Sequence, residues 1–119
     1  MPRTTNAPAS RQRRKKVLKR AKGYRQGRSK LYRRAKEFSE KGLTYAYRDR
    51  RTKKRNFRSL WITRISAGCK NNGISYNRFI AGLKKANINL NRKALSDIAF
   101  HNPDAFSDLV KRVKEELQA

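Results

Sequence analysis

This chain of 119 residues contains very few of the residues that build metal sites, disulfides and catalytic centres. It has one cysteine, Cys69, and one histidine, His101. A single thiol excludes an internal disulfide and any site made of several thiolates. We therefore expect no metal and no cofactor. Cys69 is interpreted as a small buried apolar residue, and His101 as a surface or capping residue.

Acidic residues are equally scarce, with 8 Asp and Glu against 33 Lys and Arg, a formal net charge of +25. Glu37, Glu40 and Asp49 stand among cations, where local pairing is their ordinary role. The acids of the second half lie on or near predicted helix faces, with no general base or metal ligand predicted beside them: Asp97, Asp104, Asp108, Glu115 and Glu116. No glycine-rich phosphate loop is present. The sequence thus predicts no enzyme, no catalytic residue and no small-molecule substrate.

Long apolar runs are absent too. No run approaches the roughly 18 residues that span a bilayer, and the N-terminus lacks the apolar core of a secretory signal. We expect no membrane partner and a cytoplasmic location. Hydrophobic residues make up only 36% of the chain, so part of it should be ordered by a partner rather than by its own packing.

The positive charge lies mostly in the first half of the chain. Residues 1–58 carry 23 Lys and Arg with 3 acids, a net charge of +20, whereas residues 59–119 carry 10 and 5, a net charge of +5. Like charges at this density repel one another and destabilise a compact globule unless a polyanion neutralises them. The pattern predicts a basic arm over residues 1–58, followed by a compact helical domain over residues 59–119.

The arm is predicted to be extended at first and then helical. Two prolines precede Arg11, which favours an extended start. No proline follows from Ser29 to about Asn71, and a continuous helix over that range would reach about 65 Å. Because most of its circumference is basic, it gains too little from burial to be stable alone. Its weak apolar stripe consists of Leu31, Ala35, Phe38 and Tyr45.

The second half has apolar residues at helical spacing, and no alternating strand pattern is visible, so the predicted fold class is all-α. The long helix should continue to about residue 71, where Asn71-Asn72-Gly73 is a strong stop signal and Ser75 a good N-cap. Asn102-Pro103-Asp104 predicts another helix start. Four short helices would close one core, formed by Trp61, Ile65, Phe79, Ile80, Leu83, Leu95, Ile98, Phe106, Leu109, Val110 and Val113.

A nucleic acid is the partner that this arm favours. Each Lys or Arg that neutralises a phosphate releases counterions, and the planar fork of arginine pairs with phosphate and stacks on bases. Interleaved tyrosines offer stacking against unpaired bases. RNA is favoured, while DNA, membranes and other acidic partners stay open. The chain lacks the leucine heptads of a basic zipper, the Cys and His pairs of zinc fingers and the strands of an RNA-recognition sheet.

Three blocks of sequence carry a resemblance to a known family. The first is the run from Arg13 to Arg33, with Ala21-Lys22-Gly23-Tyr24 at its centre. The second runs from Tyr45 to Ile65 through Tyr47-Arg48-Asp49-Arg50-Arg51. The third runs from Asn72 to Ala86. Together they resemble the bacterial large-subunit ribosomal protein L20 family over nearly the whole chain.

The resemblance implies a structural constituent of the large ribosomal subunit that binds 23S rRNA, is needed for early subunit assembly and has no part in peptide-bond chemistry. Its implied partners are 23S rRNA and neighbouring large-subunit proteins, and for some members also their own mRNA leader, as translational repressors. Beside the structural rRNA binder and the translational repressor, a third hypothesis, which the resemblance does not imply, is a nucleoid-like protein that compacts DNA. Gly23 and Gly27 would let the backbone pass close to RNA, and Asp49 would orient neighbouring arginines. The implied rRNA-binding residues are Arg11, Arg13, Arg14, Lys15, Lys16, Lys19, Arg20, Lys22, Gly23, Tyr24, Arg25, Arg28, Lys30, Tyr32, Arg33, Arg34, Tyr47, Arg48, Arg50, Arg51, Lys53, Lys54, Arg55, Arg58 and Arg64.

Overall fold

A computed structural model describes residues 5–119, and this part of the chain contains α-helices and no strand. The predicted all-α fold class is confirmed. None of the described helices is apolar enough over a sufficient length to cross a membrane. The helices are α1 Ala7–Arg20, α2 Gly27–Lys30, α3 Tyr32–Asn71, α4 Tyr76–Lys85, α5 Arg92–His101 and α6 Pro103–Gln118.

The start of the arm differs from the prediction. An extended segment was expected up to about Arg11, but α1 already begins at Ala7, with Pro8 in its first turn. Proline is tolerated there because the first N–H groups of a helix have no partner within the helix, and its fixed φ suits the helical conformation. The earlier part of the predicted extended segment, residues 1–4, lies outside the described residues.

The helical stretch expected from Ser29 is interrupted once and then ends where the sequence predicts. Leu31 is extended, with φ −84° and ψ 119°, and separates α2 from α3. Helix α3 then runs for 40 residues to Asn71. Gly73 has φ +68°, and the N–H of Ile74 donates to the carbonyl of Cys69 at 3.0 Å. Gly73 is therefore the left-handed residue that ends this helix, because glycine adopts a positive φ without strain.

The chain divides into two compact units between Arg51 and Thr52. The boundary after Arg58 that the charge pattern suggests stays a prediction. The second unit holds the hydrophobic core, in which the rings of Phe79 and Phe106 lie 5.2 Å apart. Ile80, Ile98 and Leu109 are partly buried against this core. Its fully buried members are Ile65, Cys69, Phe79, Leu83, Leu95, Phe106, Val110 and Val113.

Trp61 was expected in the core but lies outside that cluster. It is half-buried, and its ring centroid is 6.2 Å from that of Phe57, which is itself exposed. Ile65 follows one turn later on α3 and is fully buried. The apolar face of α3 therefore enters the core at Ile65, and the two aromatic residues before it remain open to a partner.

The first unit buries only small side chains. Ala21, Ala35 and Ser39 are its buried residues among those described. A Cβ added at Gly42 would lie 2.8 Å from the hydroxyl oxygen of Tyr24, so the segment after α1 approaches the α3 backbone closely at this point. Burying so few carbon atoms offsets little of the conformational entropy that ordering this unit costs.

We expect an isolated peptide of residues 1–58 to be largely disordered in low-salt buffer, because its buried surface is small and its cations repel one another. Adding rRNA should raise its helix content. Far-ultraviolet circular dichroism of the peptide with and without RNA measures both. A strongly helical spectrum for the peptide alone would contradict this expectation.

The prediction that Cys69 is buried is confirmed, and burial raises the pKa of its thiol to about 11. We expect the native chain to react very slowly with a thiol reagent at pH 8 and to react rapidly once unfolded in denaturant, because the thiolate is the reactive form. Since the folded pKa lies above the ordinary 9.0, the stabilising contribution of the protonated thiol is full below pH 9 and is lost between pH 9 and 11. Equally fast reaction of native and unfolded chain would contradict the burial.

Candidate nucleic-acid interface

The residues predicted to bind rRNA lie on α1, on the segment after it, on α2 and on the first part of α3. All of them are exposed except Tyr32 and Arg64, which are half-buried. The basic surface named here comprises these residues from Arg11 to Arg58. Arg64 lies further along α3, in the unit that holds the core.

Few of the cations on the basic surface have an acidic partner. Within residues 5–58, the ion pairs join Arg34 to Glu37 at 3.3 Å and Arg48 to Asp49 at 2.8 Å. The side chains of both pairs are more than half exposed, so each pair contributes little to stability. The other Lys and Arg side chains of this described stretch have no carboxylate within 4.0 Å. Their charge is therefore available to an external anion.

Asp49 acts on one neighbouring arginine. Arg48 donates from Nε to Oδ1 of Asp49 at 2.8 Å and from Nη2 to Oδ2 at 3.4 Å. This hydrogen bonding lowers the pKa of Asp49 and raises that of Arg48. Both groups stay ionised and form a hydrogen-bonded ion pair at the surface. The resemblance implied that Asp49 orients neighbouring arginines. In the described structure, its side-chain hydrogen bonds are with Arg48.

The two glycines expected at a close approach to RNA have different surroundings. Gly23 is exposed, has φ +92°, and a Cβ built on it would meet nothing within 4 Å. Its left-handed conformation and the open space around it suit an external backbone contact. A Cβ on Gly27 would instead lie 3.1 Å from Cδ1 of Leu31. The close approach at Gly27 is thus to the chain itself.

Several aromatic rings on or beside the basic surface lie against cations of the same chain. The guanidinium carbon of Arg51 is 3.9 Å from the ring centroid of Tyr47. Tyr45 has Arg48 at 4.6 Å and Lys41 at 5.3 Å. A base that stacks on these rings must displace or extend such a contact, and cation–π contacts at exposed sites are weak enough to be displaced. Three further pairs on or beside this surface join Arg14 to Tyr32 at 5.3 Å, Arg28 to Phe38 at 4.2 Å and Lys53 to Phe57 at 5.9 Å.

The second unit contains a cleft that was not predicted from the sequence. Trp61 and Arg64 of α3 line it together with Lys93 and Ser96 of α5. The one signal in the sequence was Asn91, a good N-cap residue with two cations directly after it. Nothing in the sequence indicated that α3 and the start of α5 meet, because their residues are about thirty positions apart.

Comparison with known proteins identifies the family. The family model for ribosomal protein L20 matches residues 3–109. The chain belongs to the ribosomal protein L20 family. Large ribosomal subunit protein bL20 of Salinibacter ruber is 56% identical over 115 residues, which cover 97% of this chain and 100% of the relative. The bL20 proteins of Natranaerobius thermophilus and Rhodospirillum rubrum are 53% and 56% identical over 117 residues, 98% of this chain and 100% and 94% of those relatives.

The family membership confirms the resemblance that the sequence blocks carry. It is a family of structural ribosomal proteins, so the chain is not an enzyme.

Proposed function

We propose that this chain binds 23S rRNA directly and is needed for early assembly of the large ribosomal subunit, beside neighbouring large-subunit proteins. The observation that carries the proposal is the basic surface. Its Lys and Arg side chains are exposed, and only Arg34 and Arg48 of residues 5–58 have a carboxylate partner among the described residues. The relatives are named large ribosomal subunit proteins, which supports rRNA of that subunit as the binding partner.

The distribution of cations on α3 favours RNA that surrounds the helix over RNA on one side of it. Successive helix residues are about 100° apart. Counted in this way, the cations from Arg48 to Arg58 spread over roughly 220° of the circumference. One face therefore cannot bring all of them to phosphates. Full contact requires RNA to close around the helix, which supports binding before the RNA has finished folding.

The test is the binding of the full chain to fragments of 23S rRNA and to duplex DNA of matched length, over a series of salt concentrations. Nonspecific charge neutralisation weakens steeply and uniformly with salt. We expect one rRNA fragment to keep its advantage at physiological salt. If all fragments and the DNA lose affinity along one common slope, the chain is a general polyanion binder, and the site-specific role is wrong.

We propose translational repression, through the chain's own mRNA leader, as a second function carried by the helical domain alone. The supporting observation is that every member of the core cluster lies at or after Ile65. A fragment of residues 59–119 therefore keeps the whole core. Deletion of residues 1–58 should abolish subunit assembly and leave repression of a leader-fused reporter. Loss of repression in a fragment that is shown to be folded would contradict this proposal.

A further inference from the structure

The first unit contains a bend between its two long basic helices. Helix α1 ends at Arg20, the left-handed Gly23 follows, and the short helix α2 begins at Gly27. Leu31 is extended and precedes α3. The bend comprises residues 21–31, and it connects α1 to α3. Its shape therefore decides where the cations of α1 stand relative to those of α3.

The backbone of Gln26 shows that the bend has a conformational cost. Its φ is +58° and its ψ is −144°, a combination close to one that glycine adopts readily and residues with a Cβ rarely adopt. Such residues persist only where the surrounding structure holds them. The hydroxyl and the N–H of Ser29 both donate to the carbonyl of Gln26, at 3.1 and 3.4 Å. These hydrogen bonds fix the turn itself, but they do not fix its position against α3.

One face of α3 is built from small residues near the bend. Ala35, Ser39 and Gly42 follow one another at steps of four and three residues, so they lie on the same side of the helix. Ala35 is fully buried and Ser39 is 2% exposed. Ala21, the first residue of the bend, is the other buried residue described for this unit. The small side chains of this face allow the bend to lie close to the α3 backbone.

Tyr24 is the residue of the bend that packs on this face. A Cβ built on Gly42 would lie 2.8 Å from the hydroxyl oxygen of Tyr24. The phenol ring therefore reaches α3 in this position because residue 42 has no side chain. Arg28 makes a second contact between the bend and α3, since its guanidinium carbon is 4.2 Å from the ring centroid of Phe38, one turn before Gly42. Both contacts join residues that are distant along the chain, and both hold the bend against α3.

We propose that Tyr24 is a positioning residue, which packs on Gly42 and so holds the bend in the shape that presents α1 and α3 together to 23S rRNA. The inference rests on the proposed rRNA binding, and it gives Tyr24 a role other than the base contact predicted from the sequence. Repulsion between the cations of α1 and α3 opposes the bend until RNA binds. A chain that adopts the binding conformation for only a fraction of the time has its affinity reduced by that fraction. The contact between Tyr24 and Gly42 raises this fraction without touching RNA.

A double-mutant cycle tests the inference. Full-length chains that carry Tyr24→Ala, Gly42→Leu or both are titrated at physiological salt with the 23S rRNA fragment that the unmodified chain binds most tightly. We expect each single variant to bind about tenfold more weakly, as a tenfold smaller bent population would cause. The double variant should be no weaker than the single variants, because a leucine side chain at position 42 occupies the place of the Tyr24 ring and both changes remove the same contact. Additive losses, or no loss for Gly42→Leu, would overturn the inference, since Tyr24 would then act on RNA directly or not at all.

Two controls separate the bend from helix stability and from charge. Thr44→Leu introduces the same side chain at an exposed position of α3, about 200° around the helix from Gly42, and should change the affinity by less than about twofold. Leucine favours a helix more than glycine does, so Gly42→Leu does not act by melting α3.

Duplex DNA of matched length, bound through charge alone, should bind all variants alike. If Tyr24→Ala and Gly42→Leu weakened DNA binding as strongly as rRNA binding, the bend would have no part in recognition and the inference would be wrong. An unmodified chain that does not prefer rRNA to DNA would instead contradict the proposed function.

Discussion

Gly82→Ala is expected to lower the free energy of unfolding of the helical domain by about 2–3 kcal/mol, the upper range for overpacking a core. Gly82 lies on α4 and is buried. A Cβ built there would overlap Cγ1 of Val113 and lie 3.2 Å from Cγ of Leu117, both on α6. Because Val113 is fully buried, it cannot swing into solvent. The two helices must move apart, or a side chain must leave its preferred rotamer.

Urea denaturation followed by Trp61 fluorescence measures this loss. Asn77→Ala is the matched control, since Asn77 is exposed on the same helix and its removal should change stability by less than about 0.5 kcal/mol. Adding Val113→Ala to Gly82→Ala should cost less than the sum of the two single losses, because it removes the overlapping methyl group. Strict additivity, or an unchanged midpoint for Gly82→Ala, would show that α4 and α6 do not touch at this point.

Replacing Arg50, Arg51, Arg55 and Arg58 with glutamine is expected to weaken binding to 23S rRNA by about a thousandfold at physiological salt. These four side chains are exposed and have no carboxylate within 4.0 Å among the described residues. Each phosphate contact contributes about 0.9 to the slope of log affinity against log salt in duplex DNA. The slope should therefore become shallower by about 3 to 4. Glutamine keeps helix propensity, so α3 itself should persist.

The control removes the same charge from outside the basic surface. Arg78 and Lys84 on α4, with Lys111 and Arg112 on α6, are all exposed. Their replacement by glutamine should reduce the slope by less than half as much. Equal losses in the two quadruple variants would show that the RNA responds to total charge alone. Filter binding over a salt series gives both slopes.

Local signals in the sequence predicted much of the fold because they act within a few residues. The stop at Asn71-Asn72-Gly73 is confirmed, and the hydroxyl of Ser75 accepts from the N–H of Arg78 at 3.4 Å as the N-cap of α4. The helix start at Pro103 is confirmed as well. The predicted extended start was wrong. The prolines before Arg11 indicated an extended segment, but proline also suits the first turn of a helix, and α1 begins at Ala7 with Pro8 in that turn.

By itself, the sequence determined the all-α class and the positively charged first half, and its blocks already carried the family resemblance. The charge of a segment and the residues that start or end a helix can be identified from the sequence alone, because neither depends on contacts between distant residues. Tertiary structure alone decided that Trp61 stays out of the core, that Gly82 lets α4 meet α6, and that the start of α5 forms a cleft with α3. Each of these depends on which distant residues come into contact, and periodicity along one helix does not specify its neighbour across a core.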